Sequence, residues 1–249
     1  MFCIATTLAL AHKNLSDSTF PDLKLEHNRY YAETLFHKLD KSGDKRSFYI
    51  LYEEPPYTST QYKKINYADK LRIRGHFQSY KYFNSCKDYI LETFQIPEKL
   101  QTKINNSAYN KLISESLNSV SLHVRRGDYL KMSQHYESLS KDYYQNALEL
   151  IEGADKVFVF SDDIEWCKSN IDFVFDKSLV FVEGQTDVED LVLMSKIKNN
   201  IIANSTFSWW GAYLNQNEDK KIIAPNRWFG PARQQANFDD LYPKEWIRV

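Results

Sequence analysis

Ser121-Leu122-His123-Val124-Arg125-Arg126-Gly127-Asp128-Tyr129 is the stretch on which the reading of this chain turns. A short apolar run of strand character, beginning at Val120, leads directly into two arginines, a glycine and a carboxylate. Each guanidinium is a rigid fork of donors that matches phosphate oxygens two at a time and stays charged at any working pH. Taken alone, the stretch reads as an anion clamp or, the commoner case for paired arginines after a strand, as a surface cluster of ion pairs.

The order of elements around the stretch separates these readings. Downstream, short apolar runs alternate with helical patterns: strand character at 120–124, 156–160, 179–182, 200–203 and 221–224, and helices between them. Ser140 is placed to cap a helix carrying Tyr144, Ala147, Leu148 and Ile151 on one face, with Gly153 closing it. Ser161-Asp162-Asp163 begins another, with Glu165 set for a capping box. Residues 187–198 form a third, and Ser205 or Thr206 caps a fourth. Such alternation argues for an α/β fold with a parallel sheet covered on both faces, and such sheets take ligands beyond the carboxyl ends of their strands. Arg125, Arg126, Asp162 and the helix start at Ser205 all follow strands, so they are expected to converge on one crevice.

The first half is less regular. Residues 1–14 read as a helix from the outset, 15–21 as a polar loop, 26–39 as a helix, and 47–52 and 70–74 as strands. Ser85 is positioned to cap a helix through Phe94, and Pro97-Glu98 to open one that runs to about Ser114. The division between halves is expected at 117/118.

Composition limits the function classes. In 249 residues, Lys+Arg 32 against Asp+Glu 33 leave a formal net charge of -1, which excludes the broad basic field of a nucleic-acid binder and makes any anion site local. Cys3, Cys86 and Cys167 are widely spaced and odd in number, so neither a metal cluster nor a disulfide framework is expected. No apolar run spans a bilayer, and the apolar segment 2–11 has no Lys or Arg before it, unlike a secretory leader. A cytoplasmic setting is the expectation.

Several residue types carry chemistry. Asn204-Ser205-Thr206-Phe207-Ser208 starts a helix after a buried strand, where backbone N–H groups, the helix dipole and hydroxyls attract anionic oxygen, although ordinary capping explains Ser or Thr there equally well. Asp190, near a helix start, has a carboxylate suited to the adjacent ring N–H and exocyclic amine of guanine, and the dipole alone also favours an acid there. His123 reads either as a ligand residue or as a buried structural one. Asp162-Asp163 is better explained by capping than by metal binding, and the chain contains no Asp-x-Asp.

His123 to Tyr129, together with Phe160-Ser161-Asp162-Asp163, Asp190 to Ser195 and Ile202 to Ala212, resembles glycosyltransferase family 11, the α-1,2-fucosyltransferases. Gly75-His76-Phe77-Gln78-Ser79-Tyr80-Lys81-Tyr82-Phe83 is similar to a segment in that family's N-terminal half. The resemblance implies a GT-B-like α/β fold: two Rossmann-like domains facing a cleft, residues 1–117 on the acceptor side and 118–249 binding GDP-fucose. It implies that Arg125 holds the donor diphosphate with Arg126 in support, that Asp190 and His123 contact guanine, and that Ser205, Thr206, Phe207 and Ser208 line the nucleotide pocket. No cofactor and no metal are implied, GDP-fucose being the donor substrate and a galactose-terminated oligosaccharide the acceptor. Arg125 and Asp128 are the catalytic candidates, Asp128 as a base, as a partner for Arg126 or as a loop cap.

Relatives of this kind begin with a strand and a Gly-Gly-Leu-Gly-Asn-Gln-like loop that have no counterpart ahead of Met1-Phe2-Cys3-Ile4-Ala5, so the N-terminal domain is expected to lack its first strand. An alternative is therefore a truncated or degenerate nucleotide-sugar-binding protein without turnover. A carbohydrate-binding module, prompted by Tyr 17, Phe 15 and Trp 5, explains the aromatics but gives the arginine pair no task.

Overall fold

The computed structural model describes residues 1–56, 60–172, 174, 178–233 and 235–249, and it divides into two compact units. The first comprises Met1–Gln101 with Asn237–Pro243, the second Thr102–Ala236 with Lys244–Val249. Both contain parallel β-structure, so the protein is α/β. No helix among the described residues is long and apolar enough to cross a membrane.

In the first unit, α1 (Phe2–Lys13) buries Phe2, Ala5, Leu8 and Ala9. Strands β1 (Ile50–Glu53) and β2 (Leu71–Arg74) pair in parallel, Ile50 opposite Leu71. The Gly75 segment is folded around Glu54, whose carboxylate accepts from the backbone N–H groups of His76 at 2.7 Å and Phe77 at 2.9 Å. A β-carbon at Gly75 would lie 2.4 Å from that of Glu54, so only glycine lets the loop close this tightly.

Two helices expected here are broken. Residues 26–39 form a 3₁₀ turn, a short helix α2 (Arg29–Glu33) and further turns. The helix ends at Thr34, whose backbone leaves the helical region at φ −115° and ψ −94° while its hydroxyl donates to the Tyr30 carbonyl at 2.7 Å. Ser85 does not cap α3 (Lys87–Thr93); the chain enters that helix through a 3₁₀ turn with Cys86 at its start. The run from Pro97 divides into α4 (Glu98–Asn105) and α5 (Ala108–Ser114), because the Ser107 hydroxyl accepts from Asn110 N–H and donates to Ile104 C=O, starting a new helix.

The second unit is a six-stranded parallel sheet of β3 (Ser119–Val124), β4 (Lys156–Ser161), β5 (Ser178–Phe181), β6 (Asn199–Ile201), β7 (Ile222–Ala224) and β8 (Ile247–Arg248), ordered β5-β4-β3-β6-β7-β8. Between them run α6 (Lys141–Glu149), α7 (Ile164–Asn170), α8 (Asp187–Lys196) and α9 (Thr206–Tyr213). Alternation along the strands sorts the faces. Val120, Leu122, Val124, Val157 and Val159 pack with Tyr144, Ala147 and Leu148 of α6 and Cys167 of α7. The intervening His123 turns to the other face, where its ring lies 5.5 Å from that of Phe207 on α9.

Helix starts follow polar chemistry. Ser140 caps α6, and Asp163 caps α7 by accepting from Trp166 N–H. Asp163 as cap leaves Glu165 one residue short of the capping-box position, and it pairs with Lys168 at 2.8 Å instead. The capping box belongs to α8, between Thr186 and Glu189. Strand β8 has no sequence signature; its two residues are recruited by pairing with β7.

Candidate active site

The chain runs outward from β3 through β4 to β5, then returns to lay β6 on the other side of β3. The carboxyl ends of β3 and β6 therefore flank a topological switch point, where an open parallel sheet leaves a crevice. Arg125 and Arg126 follow β3, and Ser205 to Ser208 follow β6 and start α9.

Register brings the acids of β4 to the arginines. Val124 lies opposite Ser161, so the residues that follow, Arg125 and Asp162, leave the sheet side by side. Asp162 Oδ1 accepts from the backbone N–H of Arg126 at 2.9 Å, and its Oδ2 lies 3.1 Å from Arg125 Nη1. Arg125 Nη2 donates to Asp128 Oδ1 at 2.7 Å. Arg126 pairs with Asp163 at 3.2 Å, and its guanidinium sits 3.8 Å above the Trp166 ring, a cation–π contact that fixes its plane. Gly127 is required by this arrangement, since a β-carbon there would fall 2.4 Å from Asp162 Oδ2.

The two acids beside Arg125 differ. Asp128's side chain is 55% exposed and Asp162's 26%, and Asp162 is also tied to backbone. Of the two carboxylates on Arg125, Asp128 is thus the looser and Asp162 the anchored one.

Across the switch point, Ser205 caps α9 by accepting from Phe207 N–H, and the buried Ser208 hydroxyl donates back to the Ser205 carbonyl at 3.4 Å. Thr206 and Phe207 are half-buried. Below them His123 is buried, its Nδ1 has no hydrogen-bond partner among the described residues, and burial together with the Arg125 charge pushes its pKa down to about 3. The ring is neutral at physiological pH, which suits a hydrogen-bonding group and rules out a charged one.

Asp190 lies on α8, the helix packed against α9, with the Gly211 position opposed by Met194. Its Oδ1 is buried without a hydrogen-bond partner among the described residues. Burial first, and then the neighbouring Glu189 and Asp187 charges, push its pKa up to about 7. Glu189 itself is paired with Lys103 at 2.5 Å and accepts from Thr186 N–H. The structure thus joins Arg125 to Asp128 and Asp162, and His123 to Phe207, while Asp190 stands on the helix next to α9.

Sequence reading sent Asp162 toward the same crevice as the arginines and also read it as a helix-start residue, but the strand register that seats it against Arg125 has no local signal. The capping box between Thr186 and Glu189 went unread, although the Thr-x-x-Glu pattern is the signal that could have found it.

A six-stranded parallel sheet with helices between its strands, and with paired arginines and a helix start at its switch point, defines an α/β protein with an open crevice at the strand ends. The chain belongs to glycosyl transferase family 11, whose model matches residues 35–249. It is 40% identical over 197 residues to the O-antigen biosynthesis glycosyltransferase WbnK of Escherichia coli, covering 72% of this chain and 63% of that one. It is 38% identical to an α-1,2-colitosyltransferase of Escherichia coli, covering 78% and 68%. Identity to the galactoside α-(1,2)-fucosyltransferase 1 of Bos taurus is 28%, covering 58% and 43%. The chain therefore spans about two thirds of the length of its bacterial relatives and less than half that of the mammalian one.

Proposed function

We propose that the chain carries an inverting α-1,2-fucosyltransferase activity, moving L-fucose from GDP-fucose to a galactose-containing glycan without a metal. The observation that carries this reading is the seating of Arg125 at the switch point, held from β4 by Asp162, with β6 and the start of α9 following on the other side of β3. Names among the relatives, a colitosyltransferase and a galactoside fucosyltransferase, agree with transfer of a deoxyhexose to the 2-position.

In the proposed mechanism the diphosphate lies against Arg125, with Arg126 supporting the loop and Ser205, Thr206, Phe207 and Ser208 lining the nucleotide pocket. Asp190 as carboxylate and neutral His123 contact guanine, which supplies the partners their buried atoms lack. An acceptor hydroxyl attacks fucose C1 opposite GDP; the new C1–O bond forms as the bond to the diphosphate oxygen breaks, and β-linked donor gives α-linked product. Arg125 neutralises charge that develops on the leaving diphosphate. Asp128, displaced from Arg125 by the incoming phosphate, is the carboxylate positioned to take the hydroxyl proton. The cytoplasmic setting we assign agrees with three free cysteines, Cys3, Cys86 and Cys167.

The relative named for colitose makes the 3-deoxy analogue of fucose a second donor to compare. The test is calorimetric titration with GDP-fucose, GDP and ADP, joined to GDP-release assays with lactose as acceptor and with GDP-colitose as alternative donor. Guanine-selective binding with acceptor-dependent release, unchanged by EDTA, is expected. Binding without release points to the nucleotide-sugar-binding alternative, and loss of rate with EDTA refutes metal independence.

A further inference from the structure

Tyr129 follows the arginine loop on a 3₁₀ turn, Asp128–Leu130, and is buried. Its hydroxyl donates at 2.9 Å to the backbone carbonyl of Asn204, the residue immediately before the Ser205 cap of α9. One buried hydrogen bond thus closes the gap across the switch point, from the loop after β3 to the loop after β6. The ring serves the same loop, since the Arg125 guanidinium carbon lies 5.4 Å from its centroid and Tyr136 stacks on it at 4.6 Å. Burial pushes the phenol pKa up, so the O–H is retained as a donor at any working pH.

Asn204 is equally fixed. Its Nδ2 donates to the carbonyls of Glu137 at 2.9 Å and Trp228 at 3.1 Å, and those two acceptors settle the orientation of its amide. The Oδ1 on the other side is buried and has no hydrogen-bond partner among the described residues, a cost of the kind that accompanies a backbone held in place for function. A peptide whose carbonyl is claimed by Tyr129 and whose side chain is pinned to two other loops cannot drift. Its plane sets where the Ser205 N–H and the first turn of α9 lie relative to Arg125.

We propose that Tyr129, acting through the Asn204 carbonyl, is a positioning residue that presets the spacing between Arg125 and the start of α9, the two sides of the diphosphate cradle. The inference rests on the fucosyltransferase reading for the identity of the ligand, and on the geometry alone for the cradle.

The experiment compares wild type, Tyr129→Phe and Tyr109→Phe. The Tyr109 hydroxyl also bonds backbone in this unit, donating toward the carbonyls of Phe181, at the end of β5, and Glu183 and accepting from Glu183 N–H, so its phenylalanine variant controls for loss of a tyrosine-to-backbone bond away from the arginine loop. Each protein is titrated with GDP, inorganic pyrophosphate and guanosine, and kcat and KM for GDP-fucose are measured alongside thermal midpoints. For Tyr129→Phe, affinity for GDP and pyrophosphate should fall together by about 10-fold and kcat by ~10–100-fold, with guanosine binding unchanged. Tyr109→Phe should share only the small shift in thermal midpoint.

Equal anion affinity and kcat in Tyr129→Phe and wild type would overturn the positioning role, as would a loss confined to thermal midpoint or shared with Tyr109→Phe. Wild-type binding of pyrophosphate without preference for GDP over ADP would overturn the donor assignment alone and leave the Tyr129 comparison readable. No binding of pyrophosphate or GDP to wild type would overturn both.

Discussion

Asp190→Asn replaces the buried carboxyl of α8 with a group of the same shape that does not titrate. The carboxyl moves from its ordinary 3.8 to about 7 in the folded chain, because it is buried beside Glu189 and Asp187. Its folded pKa is above its unfolded one, so between about pH 4 and pH 7 the folded state holds a proton that the unfolded state has released. The stability it contributes is therefore fully present below the unfolded pKa and is lost as pH rises through the folded one. Integrated from pH 5 to pH 8, that loss is about 1–3 kcal/mol, allowing for relaxation and water around a half-buried group. Asparagine has the same shape and no proton to lose, so the variant escapes the loss. His123 works in the opposite sense: its folded pKa near 3 is below the unfolded value, so stability falls on acidification below the ordinary histidine range. That term is common to both proteins and cancels in their difference. The assay is urea unfolding of wild type and Asp190→Asn at pH 5, 6, 7 and 8, without ligand and with saturating GDP. Without ligand, the stability of the variant relative to wild type should rise by ~1–3 kcal/mol across the series. With GDP, the proposed guanine contact through the carboxylate predicts more protection of wild type at pH 8 than at pH 5, and no such trend in the variant. A difference between the two proteins that stays flat within about 0.5 kcal/mol from pH 5 to pH 8 refutes the buried, proton-holding carboxyl.

The other predictions concern the arginine loop and its supports. Arg125→Ala should lower kcat/KM for transfer by more than about 100-fold while leaving the circular dichroism spectrum and thermal midpoint near wild type, and near-normal turnover would remove the clamp role. Gly127→Ala brings a methyl group to within 2.4 Å of Asp162 Oδ2 and should cost about 1–3 kcal/mol by urea unfolding, together with most of the activity; an unaltered denaturation midpoint would show that the loop does not depend on this close approach. Asp163→Ala removes the α7 cap and the partner of Arg126 and should cost about 1–2 kcal/mol, whereas Glu165→Ala, whose bond to Lys168 is exposed, should stay within about 0.5 kcal/mol. Equal costs for the two would mean that the cap has been placed on the wrong residue.

The fold was legible where burial on both faces leaves an unbroken apolar run. Strands β3, β4, β6 and β7 stand where the runs at 120–124, 156–160, 200–203 and 221–224 are, and Ser140 caps the helix expected of it. It was illegible where a periodic run is interrupted from within. Ser107 divides the run after Pro97 by capping a new helix, and the run at 26–39 leaves helical geometry at Thr34; neither residue is distinguishable in sequence from one tolerated within a helix. Strand β8 depends wholly on its neighbour: two residues carry no period, and only the edge of β7 makes them a strand.

The site divides along the same line, between chemistry and register. Arg125 and Arg126 show in the sequence as two forked cations after a strand, a pattern that read alone leaves open an anion clamp or a cluster of ion pairs, and Ser205 declares a helix start. What no local pattern contains is the pairing of Val124 with Ser161, and it is this pairing that sets Asp162 beside Arg125 and makes Gly127 obligatory. A shift of one residue between β3 and β4 would turn Asp162 to the other face of the sheet and bring Asp163 or Ser161 against the arginine loop. The β-branched and aromatic residues of the two strands, Val120, Val124, Val157 and Val159 on one face and Phe158 and Phe160 on the other, exclude that shift, since each slip would exchange the faces. Packing of the sheet interior is therefore what orients the guanidinium at its rim, and substitutions in β4 that change volume while keeping the fold should register at Arg125 before they register in stability.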